Sequence, residues 1–222
     1  MASDPDRATR ERILDSAGRL FAEQGIRTTT VKEICDAADA NVAAVNYYFG
    51  SKDRLVEEVW ESTLGSMQRL HGRRGVEDLP PLARLEALVR SHLRSVMDDG
   101  PGGRFPKIVF RALSEFDREE VEALFERHLA PRMNTLLDTV REVLGPQASD
   151  LQVRSCALAI HSPCVHLNIA RNKGQGPMFR GAGVELDADV VIDTITEFIL
   201  GGILAMSRGL PSSPANGEED SA

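Results

Sequence analysis

The sequence predicts an all-α protein. Apolar residues recur at intervals of three and four through most of the chain, as at Ile13, Ala17 and Leu20, which places them on one face of a helix. No stretch alternates apolar and polar residues in the way that is typical of a strand. Aromatic residues make up only 5% of the chain, and Gly and Pro cluster between the periodic stretches, where they end helices.

The composition is that of a soluble globular protein with a sizeable core. The chain has 222 residues, of which 42% are hydrophobic and 27% charged. The N-terminus lacks an apolar signal segment, and the longest uncharged apolar run, 198–206, is too short to cross a bilayer. We therefore expect a cytoplasmic protein that has no membrane partner.

The first helix is predicted over 9–24, and Gly25 ends it. Thr30 and Glu33 then have the spacing of a capping box, in which each side chain accepts a hydrogen bond from an otherwise unpaired backbone amide. This pattern predicts a second, short helix over 31–38.

After a break at 39–40, Asn41 can cap a third short helix that runs to about Tyr48. Gly50 and Ser51 end this helix and begin a long fourth one over 52–70. A capped helix, a short break and a second short helix form the helix-turn-helix pattern, whose second helix fits the major groove of DNA.

Further helices are predicted in the remainder of the chain, between breaks rich in Pro and Gly. They lie at about 81–98, 106–115, 118–144 with an interruption near Pro131, 149–172 and 188–208. The Gly-rich stretch 173–183 lacks the strand and the Gly-Lys-Ser/Thr ending of a phosphate-binding loop, so it predicts a connection between helices. The tail 211–222 is rich in Ser, Pro, Glu and Asp, which predicts disorder.

The third helix presents one face outward. The helical period turns Val45 and Phe49 inward. The outward face consists of Val42, Ala43, Asn46 and Tyr47, with Tyr48 at its edge.

Two interpretations of the adjacent tyrosines, Tyr47 and Tyr48, are open. Either they are half-buried packing residues, or their hydroxyls contact phosphates or base edges. In the second interpretation Asn46 suits adenine, while Val42 and Ala43 suit thymine methyl groups.

The charge distribution favours a local DNA contact over bulk attraction. Residues 1–52 carry seven Lys and Arg against eight Asp and Glu, a sum of −1, so the rest of the chain carries −7 of the total of −8. Such a chain does not coat nucleic acid through its net charge. Lys52 nevertheless supplies a cation at a helix N-terminus, which suits a phosphate.

The N-terminal part resembles the TetR-type one-component transcriptional regulators. The resemblance runs from Thr9 to about Trp60, and four blocks in the same order and spacing carry it: RILDSA at 12–17, LFAEQG at 20–25, TTVKEI at 29–34 and VNYYFGSKDRL at 45–55. It implies that an N-terminal three-helix helix-turn-helix domain, about 1–55, binds double-stranded DNA. The DNA contacts that it implies fall on Thr30, Lys32, Asn41, Val42, Ala43, Asn46, Tyr47, Tyr48 and Lys52.

Four positions depart from the pattern of this family. Val42 stands where the family often has a polar or basic residue, and Asn46 stands where it often has Tyr. Asp39 and Ala40 replace the frequent Gly-Val of the turn. The operator sequence therefore cannot be transferred from a relative.

The C-terminal part resembles the subgroup with a CerR-type C-terminal domain, through the segments FPKIVFRALSE at 105–115 and CALAIH at 156–161. This implies a helical domain, about 56–210, that binds a small-molecule effector and forms a homodimer. The helices over 149–172 and 188–208 are apolar on more than one face, which favours a four-helix dimer interface; the alternative is a monomer core that uses both faces. A two-fold dimer would place its recognition helices about 34–36 Å apart on a palindromic operator.

Two kinds of effector site were weighed. A metal or haem site would use Cys156, His161, Cys164 and His166, but on one helix these donors face different ways, and a tetrahedral site needs the helix broken at Pro163. An apolar pocket with a polar anchor is favoured instead, and its predicted lining is Phe110, Leu113, Phe116, Met133 and His161. His161 as a simple core histidine is the alternative.

No enzyme is predicted, because no motif brings a nucleophile, a base and a stabilising group together. The three cysteines match no zinc or disulfide pattern, and Cys35 is interpreted as a core residue, with a thiol sensor as the alternative. No cofactor is expected. The prediction is a dimeric repressor that an effector releases from its operator, and the alternative is a metal, haem or thiol-redox sensor with the same DNA-binding head.

Overall fold

The structure, a computed structural model, describes residues 5–72, 75–172 and 187–209, and all regular elements within these ranges are helical. The predicted all-α class is therefore confirmed. The predicted Gly-rich connection at 173–183 and the predicted disordered tail at 211–222 lie outside the described residues. The helices are α1 Pro5–Gln24, α2 Val31–Ala38, α3 Val42–Phe49, α4 Lys52–His71, α5 Pro81–Met97, α6 Arg104–Glu115, α7 Arg118–Leu124, α8 Ala130–Leu144, α9 Asp150–Asn172 and α10 Ala188–Gly209.

The first core is formed by α1 to α4 together with α6. Ile13 and Phe21 of α1 are fully buried against apolar side chains of α2 and α3, including Ile34 and Val45. The cluster continues through Trp60 on α4 to buried residues of α6. Helix α6 therefore packs with α1 to α4, although α5 lies between α4 and α6 in the sequence.

The second core holds α5, α8, α9 and α10 together. Leu85 and Val89 on α5 pack with Val140 on α8, Ile160 on α9 and Ile199 on α10, and all five are buried. These residues recur at helical spacing on their own helices, so the apolar stripe on each helix determines which face it buries.

The predicted interruption between the helices near Pro131 is confirmed. The predicted interruption near Pro131 is a π-helical turn, Phe125–Leu129, which joins α7 to α8 and lies just before the proline in the first turn of α8. A proline fits there because the first helical amides have no intrahelical acceptor.

The long helix α4 runs without a break from Lys52 to His71. The predicted domain boundary between 55 and 56 falls inside this helix, and the division into 1–55 and 56–210 stays a prediction. Of the described helices, α10 alone is long and apolar enough to span a membrane by length and composition, a test that core helices of soluble proteins also pass.

Candidate DNA-binding surface and ligand cavity

The entry to α2 has the predicted capping box. The Thr30 hydroxyl accepts a hydrogen bond from the amide of Glu33 at 3.2 Å, and the Glu33 carboxylate accepts one from the amide of Thr30 at 2.7 Å. The backbone hydrogen bond from Thr30 is the largest cause that lowers the pKa of Glu33. At the other end of α2, the Arg12 guanidinium of α1 donates to the carbonyl of Ala38 at 3.0 Å. Both ends of α2 are therefore fixed against the domain core.

The turn between α2 and α3 depends on a left-handed residue. Asp39 has φ 49° and ψ 56°, and the following amide, that of Ala40, donates to the carbonyl of Cys35 at 3.0 Å. Glycine adopts this conformation without strain, and Asp is among the few other residues that tolerate it. Asn41 then caps α3, since its side-chain oxygen accepts from the amide of Ala43 at 2.9 Å.

The recognition helix has the predicted orientation. Val45 and Phe49 are buried in the first core. Seven of the nine predicted DNA-contact residues are exposed, and the other two, Tyr48 and Lys52, are half-buried. The exposed ones are Thr30, Lys32, Asn41, Val42, Ala43, Asn46 and Tyr47.

The two tyrosines differ in their surroundings. The Tyr48 hydroxyl donates to the Asp6 carboxylate of α1 at 3.0 Å, and its ring packs edge-on against those of Tyr47 and Phe49. Tyr47 is 76% exposed. The packing interpretation therefore describes Tyr48, whereas Tyr47 presents its hydroxyl to solvent on the outer face of α3.

The Lys52 ammonium is held by the backbone of the α1–α2 turn. Its Nζ donates to the carbonyl of Ile26 at 2.7 Å and to that of Thr29 at 2.6 Å. An ammonium has three donors, so one remains for a phosphate. Lys52 thus positions the start of α2, a role that the sequence alone did not indicate.

Residues between Met67 and Asn168 line a cavity of about 340 Å³. Its walls come from α4, α5, α6, α8, α9 and the π-helical turn. Most lining residues are apolar, and the polar ones are Ser91, His92, Arg132, His161 and Asn168. Ligand cavities typically have a volume of 300–1,000 Å³ and are apolar with a few polar groups, so this cavity has the character of a small-ligand site.

Four of the five predicted ligand-binding residues line this cavity, namely Phe110, Leu113, Met133 and His161. Phe116 does not line it. This residue follows the last turn of α6 in an extended conformation, and its ring packs against the first core with the Arg27 guanidinium 5.4 Å from the ring centroid. Because α6 ends one residue earlier, its helical face no longer directs Phe116 toward the cavity.

A pair of histidines forms the polar part of the cavity wall. Nδ1 of His161 lies 3.0 Å from Nε2 of His92, within hydrogen-bond distance. Burial lowers the pKa of His161, and burial, followed by the nearby His161 and Arg132, lowers the pKa of His92 to about 3. Both rings are therefore neutral at physiological pH.

Sequence reasoning missed His92 and Arg132, although a signal was present. Arg132 lies four residues before Leu136 and eight before Val140, both buried, so a charged residue interrupts the apolar stripe of α8. His92 likewise follows the buried Val89 by three residues on α5. A polar residue within an apolar stripe is the pattern that marks such cavity positions.

Nothing in the described ranges assembles the metal or thiol site that was weighed as an alternative. Helix α9 continues through Pro163, and in the part of the chain that the structure describes no group of three His, Cys, Asp or Glu side chains could hold a metal ion. Cys35, Cys156 and Cys164 are buried, and burial raises the pKa of each thiol, that of Cys164 to about 12. Thiols with raised pKa values are poor nucleophiles and poor redox sensors.

Helices α9 and α10 share an apolar outer surface, which we call the α9–α10 face. Phe198 is the most solvent-exposed large hydrophobic residue of the described chain, at 83%. The other exposed apolar residues of this face are Leu151, Leu158, Val165, Ile169, Val190 and Met206. Exposed apolar residues clustered on two helices favour an interaction site.

Comparison with known protein families shows the family to which the chain belongs. Residues 13–59 match the family described as bacterial regulatory proteins, tetR family. Residues 81–203 match the C-terminal domain of the HTH-type transcriptional dual regulator CecR. The chain is a TetR-family protein with a CecR-type C-terminal domain. The C-terminal subgroup that was predicted under the name CerR is thus the CecR-type subgroup.

Curated TetR-type relatives match less than half of the chain. The transcriptional repressor KstR2 of Rhodococcus jostii is 34% identical over 87 residues, which are 39% of this chain and 43% of the relative. The transcriptional regulator AcrR of Shigella flexneri is 31% identical over 105 residues, which are 46% of this chain and 48% of the relative. The matched region thus spans less than half of the length of either relative.

Solved structures of the TetR family share the fold over nearly the whole chain. The ketosteroid transcriptional regulator KstR2 of Mycobacterium tuberculosis superimposes with a TM-score of 0.61 at 21% identity, covering 91% of this chain and 96% of that one. The fatty acid degradation regulator FadR of Bacillus halodurans gives a TM-score of 0.65 at 17% identity and covers 91% and 98%. At such low identity the likeness establishes the fold alone.

Proposed function

We propose that this TetR-family chain is a cytoplasmic transcriptional repressor, that it binds a palindromic operator as a homodimer, and that a small-molecule effector releases it. The proposal rests on the contacts of helix α6 with both the cavity and the DNA-binding part. One face of α6 lines the cavity through Phe105 and Phe110. The opposite side binds α1 and the turn that precedes the recognition unit.

The DNA-binding step rests on the outer face of α3. Tyr47 and Asn46 are exposed beside each other, while Val45 and Phe49 anchor the helix from below. Side chains that are exposed on a helix with a buried opposite face can enter the major groove without disturbing the domain. The net charge of −8 makes this a localised contact.

The dimer step rests on the α9–α10 face. In a single chain this face leaves Phe198 and Leu158 in water, and two copies related by a two-fold axis would cover them. A homodimer presents two recognition helices at a fixed separation, which is what a palindromic operator requires.

The release step rests on the contacts of α6 with α1. The Arg111 guanidinium donates to the backbone carbonyls of Ala22 and Glu23 near the end of α1, and Arg104 pairs with Asp15. An effector that fits the cavity only when α6 shifts would also shift α1, and would lower operator affinity by the difference in its affinity for the two arrangements.

The decisive experiment is selection of binding sites from a random duplex library with the purified full chain, followed by mobility shifts on the selected duplex and a scrambled one. We expect a palindromic sequence whose affinity falls steeply with salt. Tyr47→Ala should weaken specific binding by about 1–3 kcal/mol and keep the helical content. Tyr47→Phe, the matched control, removes only the hydroxyl and so shows whether the hydroxyl or the ring contributes to binding. Equal binding of the wild-type chain to both duplexes would exclude the proposal.

A further inference from the structure

The cavity holds a positive charge that no carboxylate in the described chain neutralises. Arg132 is the one residue that is charged at neutral pH among the described residues lining the cavity. Arg141, on the same helix as Arg132, is paired with Asp150, and Arg84 on α5 is paired with Glu142. For Arg132, by contrast, the described ranges supply neither an ion pair nor a hydrogen-bond acceptor.

This placement is costly for a guanidinium. Arg132 is half-buried at the wall of a mainly apolar cavity, and burial lowers its pKa, although the group stays protonated at physiological pH. A charged group removed from water is stabilised by a partner of opposite charge, and the planar guanidinium fits a carboxylate with two parallel hydrogen bonds. The wall of the cavity therefore favours an anion beside Arg132.

A second unsatisfied group lies in the same wall. Nε2 of His161 is buried and has no hydrogen-bond partner within the described residues, while its Nδ1 is occupied by His92. If His92 Nε2 carries the proton of that contact, His161 must carry its own proton on Nε2, and it then becomes a donor. Arg132 lines the same cavity as this histidine pair, and its charge contributes to the lowered pKa of His92.

The rest of the cavity wall is mainly apolar and favours a ligand with an apolar body. Phe110, Met133, Leu136 and Ile160 line it, and neither Asp nor Glu is among its described lining residues. An occupant that satisfies both parts has one anionic end and an apolar body. A neutral apolar molecule would leave the guanidinium without a partner, and a polyanion would place excess charge against hydrocarbon.

We propose that the effector of this protein is an organic carboxylate with a single acidic group on an apolar body, its carboxylate bound by Arg132 and by Nε2 of His161. This inference rests on the proposed function, since it names the class of ligand for the effector cavity of the regulator. It assigns to Arg132 the discrimination between an acid and its neutral analogues.

Isothermal titration calorimetry of the full chain tests the proposal with two probes, decanoate and 4-phenylbutanoate, each compared with its methyl ester. Each pair has nearly the same apolar body, and only one member carries the charge. We expect at least one acid to bind about ten- to a hundred-fold more tightly than its ester, the range of a charge-assisted hydrogen bond. If neither acid binds more tightly than its ester, the proposal is wrong.

Variants then assign the discrimination to the side chain. Arg132→Met should reduce the affinity for the acid about ten- to a hundred-fold and leave that for the ester unchanged, because the apolar walls are retained. Arg118→Gln, which removes an exposed arginine on α7, is the control and should leave both affinities unchanged. An Arg132→Met protein that still prefers the acid by the same factor would overturn the assignment. The wild-type comparison of acid with ester decides the question even if that variant does not fold.

Binding of the selected operator, measured without decanoate or 4-phenylbutanoate, tests the proposed function independently of this inference. Operator binding without any preference for the acids excludes the ligand class and leaves the regulator intact. A preference for the acids in a chain that binds no specific duplex supports the ligand site and excludes the proposed function instead.

Discussion

The Glu115 carboxylate, at the end of α6, accepts a hydrogen bond from the backbone amide of Ile26 at 3.0 Å, although 89 residues separate the two in the chain. The same oxygen accepts from the amide of Arg27 at 3.1 Å. Gly25 precedes them with φ +96°, and a Cβ at that position would collide with the carboxylate. The turn that leads into α2 is therefore built around a side chain of the helix that lines the ligand cavity.

Glu115→Ala should weaken the coupling between effector and DNA. The variant loses both hydrogen bonds to the turn, which lowers the free energy of unfolding by about 1–3 kcal/mol because both bonds are to a charged group and the amides can bind water instead. Operator release should then need more effector, while effector affinity in the absence of DNA is unchanged. Mobility shifts with increasing effector measure this. Ser114→Ala, a change at the adjacent exposed residue of α6, should release the operator as the wild-type protein does.

Phe198→Glu should dissociate the dimer. A carboxylate at the centre of the α9–α10 face would be buried without a partner in the assembled protein but remain hydrated in the monomer. Analytical ultracentrifugation should show a monomer, and binding to a palindromic duplex should fall to that of a half-site. Leu70→Glu, at an exposed apolar residue near the end of α4, is the control for added charge and should stay dimeric.

The stability of the protein should fall as the pH decreases below neutrality. The pKa of His92 is lowered from its ordinary value of 6.5 to about 3, so between these values the unfolded chain binds a proton that the folded chain does not. Stability is therefore complete above pH 6.5 and is lost progressively toward pH 3. The loss from this group at pH 5 is about 2 kcal/mol, and His161, whose pKa is lowered too, acts in the same direction.

Urea unfolding at pH 8 and pH 5, at one protein concentration, measures this dependence. His92→Gln should remove most of it, because a neutral amide of similar size can still form a hydrogen bond with His161. An equal pH dependence in the variant and the wild-type protein would show that other groups cause it.

Asp39→Gly should stabilise the helix-turn-helix. Asp39 has φ 49°, a conformation that costs a non-glycine residue about 1 kcal/mol and costs glycine almost nothing. The midpoint of thermal unfolding should rise by about 2–4 °C. Asp36→Gly, the same change inside α2, should lower the midpoint because glycine destabilises a helix interior. A fall in both variants would contradict the interpretation of the turn.

Lys32→Gln should weaken DNA binding without changing its sequence preference. Lys32 is exposed on α2, beside the recognition helix, and a phosphate contact carries no base information. The logarithmic salt slope of binding should fall by about 1. Arg69→Gln, on the exposed side of α4, is expected to leave the slope unchanged.

The local features of the fold were predictable because each has a signal within a few residues. The capping box of Thr30 and Glu33 and the cap at Asn41 need only three or four consecutive residues to be recognised, and the helical period alone turns Val45 inward. Helix bounds therefore agree closely with the prediction. Four of the five residues predicted for the ligand site line the cavity, since they lie on faces of their helices that turn toward it.

The features that were missed depend on contacts distant in sequence. Lys52 was assigned to phosphate, but its ammonium reaches carbonyls 23 and 26 residues earlier, which only the packing of α4 against α1 creates. Phe116 was predicted to line the cavity, but it follows the last residue of α6, and its extended backbone turns its ring to the first core. Arg132 interrupts the apolar stripe of α8, but only the packing of the helices shows that no acidic partner lies beside it among the described residues.

The position of Trp60 gives the protein its own optical reporter. It is the only tryptophan of the chain, and its ring meets Phe105 edge-on and stacks on His128 at centroid distances of 5.7 Å each. Phe105 lines the cavity, and Trp60 belongs to the helix that begins at the recognition unit. A displacement of α6 against α4 must alter the surroundings of this one indole. The fluorescence emission of Trp60 would therefore report that displacement without any added dye.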